Sequence, residues 1–282
     1  YGITERNPDF INSYIRQCSH RGPDGSSIWY DDDISLGHNL LAITSEPAQG
    51  KQPVETKHGV LTYNGEIFNY ADLIKETDWI PQTTCDTEYL SHALGTMPYE
   101  TVNEKIDSMH AYAYYRKATK HLILSRDHVG IKPLYYAEIP QGLVFGSEIK
   151  GIIDKVPNGR CIDDFAAAAM SYSGINATRN TLFKNIKKVM PGETLVYDVA
   201  NKRFIGSSKQ IIVPTSKSKF NAEQFRHEAH ETVKMCTLGM RKFGVFLSGG
   251  LDSTLVAYEL KKILGEVDSF TNEMDPNVRI GE

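Results

Sequence analysis

The sequence predicts an α+β domain of layered antiparallel strands with peripheral helices over residues 1–205, then the opening of a parallel α/β domain over 206–282. Three observations predict it. Residues 109–147 alternate in side-chain character between turn residues, as two-sided antiparallel strands do. Near the N-terminus, apolar side chains instead recur at helical spacing. Residues 243–263 then read as apolar strand, glycine turn and helix, the unit from which a parallel sheet grows.

Each element has a local cause. Asn7-Pro8 pairs a capping residue with proline at the first helical position, and Phe10, Ile11, Tyr14, Ile15 and Cys18 share one face. The breaker cluster Arg21-Gly22-Pro23-Asp24-Gly25 ends that helix near His20. Short strands follow around 27–30, 34–38 and 60–64, with Asp31-Asp32-Asp33 as a solvated hairpin turn rather than a cation site. Residues 72–76 and 86–94 read as helical. Met109, Ala111 and Ala113 then alternate with His110, Tyr112 and Tyr114 in one antiparallel meander through 147. Its turns fall at 117–120 and at Pro140-Gln141-Gly142, and its tyrosines, Tyr115 included, serve sheet packing rather than base stacking.

From 201 to 221 the chain carries Lys202, Arg203, Lys209, Lys217 and Lys219 with no acidic residue, the texture of a solvated linker. Asn221-Ala222-Glu223-Gln224 resembles a capping box opening the next helix. His227 and His230 on it stand three apart, one residue short of the zinc-binding HExxH spacing, so they are assigned to the surface.

Composition narrows the function classes. With 40% hydrophobic and 23% charged residues among 282, disorder and fibres are excluded. No apolar run reaches the ~18–20 residues that cross a bilayer, and a net charge of −4 gives no reason to expect nucleic acid. Cys18, Cys85, Cys161 and Cys236 lack metal or disulfide spacing and read as buried free thiols in a reducing, cytoplasmic compartment.

Two motifs carry chemistry. Ser248-Gly249-Gly250-Leu251-Asp252-Ser253 joins a buried strand to a helix, where glycines admit an anion to the helix N-terminus. Asp252 suits such a loop when a Mg²⁺ offsets its charge. This loop resembles the pyrophosphate loop of N-type ATP pyrophosphatases. Asn64-Gly65-Glu66 follows a strand; alone it is a turn tripeptide, but an Asn amide and a Gly N–H there can form an oxyanion hole.

These do not stand alone. His20-Arg21-Gly22-Pro23-Asp24, Gly37-His38, Gln52-Pro53, Asp86-Thr87-Glu88, Ser125-Arg126-Asp127-His128-Val129-Gly130-Ile131-Lys132-Pro133-Leu134 and Phe145-Gly146-Ser147-Glu148-Ile149-Lys150 accompany them in order. The combination resembles the class II glutamine amidotransferases, and in particular the glutamine-hydrolysing asparagine synthetases of the B type, over nearly the whole chain. The resemblance implies an Ntn-hydrolase αββα sandwich that hydrolyses glutamine. Ammonia would then reach aspartate activated by ATP, with Mg²⁺, as β-aspartyl-AMP.

It implies Asn64 and Gly65 as the oxyanion hole, Glu66 and Asp86 as the holders of the glutamine amino group, and Leu40, Ile43 and Thr44 in the glutamine site. Leu247, Ser248, Gly249, Gly250, Asp252 and Ser253 would bind ATP, with Asn272 beside the nucleotide and Mg²⁺ near Asp252. His38 and His128 would be buried, hydrogen-bonded histidines, and Arg126 with Asp127 a structural pair. A homodimer is compatible with the resemblance.

The chain departs from the family pattern twice. Tyr1 stands where the family has a nucleophilic N-terminal cysteine. Tyr1-Gly2-Ile3 fits the continuation of that motif, so Cys-Gly-Ile is expected upstream of Tyr1 and the rest of the synthetase domain beyond Glu282. Leu40 stands where the family has an arginine for the glutamine carboxylate. Its loss weakens binding by ~1.5–3 kcal/mol unless Arg21 or Lys51 substitutes. Two other readings remain open: an ammonia-dependent or β-lactam-synthetase-like adenylating enzyme, and a non-catalytic protein that keeps the amidotransferase shell.

Overall fold

The computed structural model describes residues 1–212, 219–239 and 241–272. The chain forms two compact units, 1–213 and 214–282, considered separately below.

The first unit begins with β1 (Gly2–Ile3), α1 (Pro8–Gln17), β2 (Gly25–Tyr30), β3 (Ser35–Leu40), β4 (Val54–Glu55) and β5 (Gly59–Ile67). Helices α2 (Tyr70–Lys75), α3 (Asp86–Thr96) and α4 (Tyr99–Lys105) follow, then β6 (Ser108–Arg116), β7 (His121–Arg126), β8 (Tyr135–Ile139) and β9 (Gly142–Gly146). It closes with α5 (Asp164–Ser173), β10 (Lys187–Lys188), β11 (Glu193–Asp198) and β12 (Arg203–Lys209). Two six-stranded antiparallel sheets result, ordered β10-β8-β9-β1-β3-β2 and β12-β11-β7-β6-β5-β4.

Strand alternation stacks these sheets. Ala111, Ala113 and Tyr115 of β6 meet Leu36, Leu143 and Phe145 of the other sheet in a core between the two. Tyr112 and Tyr114 face the opposite way and pack with Leu61 and Tyr63 against Tyr89, Leu90 and Leu94 of α3. Behind the first sheet, Phe10, Ile11 and Tyr14 of α1 cover Ala137 and Val144. The order helix, sheet, sheet, helix is the expected αββα sandwich. The first helix starts as its sequence dictates, Asn7 accepting the Phe10 N–H at 3.0 Å. Asp31 likewise caps its own turn, accepting from the N–H groups of Asp33 and Ile34 at 2.8 and 2.9 Å.

Several expectations change. Asn64-Gly65-Glu66 is no turn: β5 runs through it, opposite Ala111, His110 and Met109, because β6 supplies partners that turn propensity ignores. The two hairpins expected within 109–147, β6–β7 and β8–β9, form as read but lie in different sheets rather than in one meander. Residues 203–209, expected in a linker, form edge strand β12 against β11, with Arg203, Ser207 and Lys209 exposed to solvent. Residues 213–218 of that linker lie outside the described residues. Cys161, Cys236 and His128 are exposed, while Cys18 and Cys85 are buried as expected.

The crossing between sheets, residues 127–134, is organised by two side chains that bind backbone rather than each other. Asp127, 1% exposed, accepts from the N–H groups of Gly130 (2.6 Å), Ile131 (2.9 Å), Lys132 (3.0 Å), Val129 (3.2 Å) and His110 (3.2 Å). Arg126 donates to the carbonyls of Lys132 (2.6 Å), Gly130 (2.6 Å) and Val189 (2.8 Å).

The second unit contains α6 (Ala222–Met235), β13 (Gly244–Phe246), α7 (Leu251–Leu264) and β14 (Asp268–Phe270). β13 and β14 pair in parallel across α7, the expected α/β opening. Asn221 caps α6 through the N–H groups of Glu223 and Gln224 at 2.9 and 3.1 Å, but Gln224 turns to Glu228 and leaves the box half made. His230 meets Glu259 at 2.7 Å and ties α6 to α7. Among the described residues no helix is long and apolar enough to cross a membrane.

Asp127 gives the fold a testable acid limb. Burial opposes its charge, but the backbone donors prevail and hold its carboxyl below the ordinary range. Because the folded pKa lies below the unfolded one, this stabilisation is complete above the unfolded value of ~4 and is lost as pH falls through the folded one. Asp127→Ala removes the side-chain acceptor of five N–H groups, of which only Gly130 keeps a second partner, the residue-127 carbonyl at 3.0 Å, and should cost about 3 kcal/mol or more in urea unfolding at pH 7. A loss under about 1 kcal/mol contradicts the role.

Candidate active site

A cavity of about 220 Å³ opens where β3, β5 and the start of α3 converge. The structure brings every sequence-assigned residue of the first unit to its wall: Leu40, Ile43, Thr44, Asn64, Gly65, Glu66 and Asp86.

Asn64 sits on β5 with its side-chain Nδ2 buried and, among the described residues, without a hydrogen-bond partner. An unsatisfied buried N–H donor costs roughly 1–3 kcal/mol, so it is a strained group that an incoming oxygen would satisfy. Gly65 beside it is required by packing, since a Cβ there would stand 2.2 Å from the Met109 carbonyl oxygen and 2.8 Å from the Tyr63 ring.

Two carboxylates face the same space. Asp86, the first residue of α3 and 2% exposed, accepts from the Ile67 N–H (3.0 Å), the Tyr63 hydroxyl (3.1 Å) and the Thr44 hydroxyl (3.3 Å). Burial nevertheless outweighs these donors and raises its pKa. Glu66 is raised chiefly by burial, with Asp86 adding repulsion and Lys132 opposing. The pair therefore carries incompletely compensated negative charge, which a ligand ammonium would relieve.

The remaining wall is held by named contacts. His38 is drawn down to about 3 by burial, so it is neutral, with the Thr62 hydroxyl 3.5 Å from its Nδ1. Tyr1 stacks on Tyr14 at 4.0 Å and donates its hydroxyl to Asn39 Oδ1 at 3.0 Å. Its nitrogen lies 3.2 Å from the Gly37 carbonyl, a contact that a peptide N–H makes equally well. Gln52 accepts the Tyr63 N–H at 2.7 Å and fixes β5 next to Asn64.

Of the two cations expected near Leu40, Arg21 reaches the cavity and contacts Glu148 at 3.4 Å, whereas Lys51 is exposed and does not line it. Sequence reasoning gave no role to Lys132, which lines the cavity from the crossing loop. Its signal was its place in the quoted Ile131-Lys132-Pro133 segment.

In the second unit, Leu247 donates to the Phe270 carbonyl at 2.8 Å, and Ser248, Gly249 and Gly250 lead into α7. Gly249 has φ of 78° with open space around it, and α7 starts without a side-chain cap. The Ser248 and Ser253 hydroxyls lie 3.0 Å apart; Asp252 is exposed on the first turn. Asn272 follows β14 at the same end as the loop. An uncapped, glycine-lined helix N-terminus fits a polyphosphate. Among the described residues, no group of three or more His, Cys, Asp or Glu side chains is placed to hold a metal ion.

The carboxylate pair predicts a pH dependence. Ammonium binding needs Glu66 and Asp86 ionised, and both titrate above the ordinary range. As pH is lowered, affinity for an α-amino ligand should therefore start to fall at a higher pH than unshifted carboxylates of pKa ~4 would allow. Calorimetric titration across pH checks this; affinity constant down to pH ~4 would contradict it.

Comparison with known proteins agrees with the geometry. A family model described as glutamine amidotransferase domain matches residues 1–207, and one described as asparagine synthase matches 224–279. Asparagine synthetase B (glutamine-hydrolysing) of Escherichia coli (strain K12) is 29% identical over 88% of this chain and 40% of its own length. The Zea mays asparagine synthetase (glutamine-hydrolysing) is 30% identical over 89% and 39%, and asparagine synthetase (glutamine-hydrolysing) 3 of Bacillus subtilis (strain 168) is 28% identical over 84% and 40%. The chain spans about half the length, or less, of the curated relatives it matches. Glutamine phosphoribosylpyrophosphate amidotransferase from B. subtilis shares the fold, with TM-score 0.53, 16% identity and coverage of 96% of this chain and 64% of that one. The allosteric regulatory enzyme of purine biosynthesis does so too, with TM-score 0.53, 15% identity and coverage of 99% and 66%. With its cavity built on an orphan Asn amide and two buried carboxylates, and with 1–207 matched throughout, the chain belongs to the glutamine amidotransferase domain family.

Proposed function

We propose that the cavity of the first unit hydrolyses glutamine for an ATP-dependent ligase that amidates aspartate. The observation that carries this reading is the buried, unpartnered Nδ2 of Asn64 on the cavity wall. A buried amide donor without a partner among the described residues, on a residue of the cavity wall, is suited to stabilising a developing oxyanion. Glu66 and Asp86 would take the α-ammonium, and Leu40, Ile43 and Thr44 would shape the wall around the substrate.

In this reading the nucleophile is an N-terminal cysteine, with its own α-amine as base. The thiolate attacks the γ-carboxamide carbon, and the carbonyl electrons move to an oxygen held by Asn64 Nδ2 and the Gly65 N–H. Collapse expels ammonia, and water then releases glutamate from the thioester. The loop from Leu247 to Ser253, with Asn272, would bind ATP while the aspartate side chain is activated as β-aspartyl-AMP, releasing pyrophosphate; ammonia then displaces AMP. Glutaminase work would fall to residues 1–205 and the start of the synthetase to 206–282. A cytoplasmic setting suits these substrates.

Two outcomes test it on the full-length protein. Asn64→Ala should lower kcat for glutamate formation about 10²–10³-fold with little change in KM. Unchanged kcat in the folded variant sinks the oxyanion assignment. Ser253→Ala should reduce aspartate-dependent pyrophosphate release, as kcat/KM for ATP, roughly 10- to 100-fold. Pyrophosphate release that ignores both aspartate and this change removes the synthetase half of the proposal.

A further inference from the structure

We infer that Lys132 is the cation that recognises the α-carboxylate of the substrate, the role left open by Leu40. The inference rests on the glutaminase reading and names the specificity determinant of the same cavity.

Charge balance carries it. An α-amino acid is a zwitterion, and the carboxylates of Glu66 and Asp86 answer only its ammonium. Two cations line the cavity, Arg21 and Lys132. Arg21 is engaged by Glu148 at 3.4 Å, a carboxylate that also binds His20 and Lys150, and the guanidinium lies near enough to repel the Lys132 ammonium. Lys132 is half-buried, and among the described residues its ammonium has no hydrogen-bond or ion-pair partner. It couples electrostatically to Glu66 without closing an ion pair with it. An ammonium and a carboxylate that sense each other yet do not touch leave a gap suited to the adjacent charges of one α-amino acid.

Position supports the same assignment. The Lys132 N–H is held by Asp127 at 3.0 Å and its carbonyl by Arg126 at 2.6 Å, so its Cα is fixed from both sides. Ile131 before it is exposed and Leu134 after it is buried in the core between the sheets, which pins the segment at the cavity mouth. A side chain on so constrained a backbone meets a ligand with little ordering cost. Leu40 itself, half-buried and also lining the cavity, has an apolar side chain.

The test compares L-glutamine with L-glutamine α-amide, whose α-carboxylate is replaced by a neutral carboxamide. In the full-length protein, kcat/KM should favour L-glutamine roughly 10- to 100-fold. Lys132→Met should erase that preference mainly by raising KM for L-glutamine, Lys132→Arg should restore most of it, and Arg21→Met should keep it. A preference that survives Lys132→Met, or that disappears with Arg21→Met instead, overturns the inference while leaving the glutaminase reading intact. A wild-type protein that hydrolyses neither compound overturns both.

Discussion

The carboxylate of Asp127 is the constraint on which the first unit depends. Five backbone N–H groups converge on it, one from β6 and four from the segment that leaves β7 for the other sheet. A loop that crosses between two sheets cannot satisfy its donors through a ladder, and stranded buried N–H groups are costly. Asp127 answers these donors at one point while Arg126 answers three of the carbonyls. The crossing sets how β6–β7 stands against β8–β9, and so where the cavity opens.

That geometry gives the cavity its chemical character. Among the described residues, the wall joins an amide donor and an ammonium that have no partner with two carboxylates whose burial keeps them short of compensation. Each is unfavourable in the empty protein, and each is relieved by a different part of an α-amino acid carrying a side-chain carboxamide. Sites concentrate such local conflicts because the fold around them is strong enough to hold them. Here the supporting structure is the buried core between the sheets, where Leu36, Ala111, Ala113 and Phe145 meet.

Much of this was legible in the sequence, for identifiable reasons. The alternation in 109–116 announced β6, and Asn7-Pro8 announced α1, because both depend on neighbours along the chain. Asn64-Gly65-Glu66 showed its chemistry but not its conformation, since the partner that keeps it extended lies more than forty residues later. Edge strand β12 passed for a linker because an edge tolerates lysine and serine. The assignment of β8–β9 to a separate sheet was not legible at all; it follows from Asp127 acting on backbone, which leaves no periodic trace. Lys132 stood in a recognised segment, but only the folded chain sets its ammonium opposite Glu66 without a partner.

The central claim is that one cavity receives all three polar ends of glutamine. A crystal structure of the full-length protein with its product, L-glutamate, tests that most directly. The account predicts the α-ammonium between Glu66 and Asp86, the α-carboxylate at Lys132, and the side-chain carboxylate directed to Asn64 Nδ2. Glutamate bound in any other orientation, or absent from this cavity at a concentration that saturates the protein in solution, would contradict it.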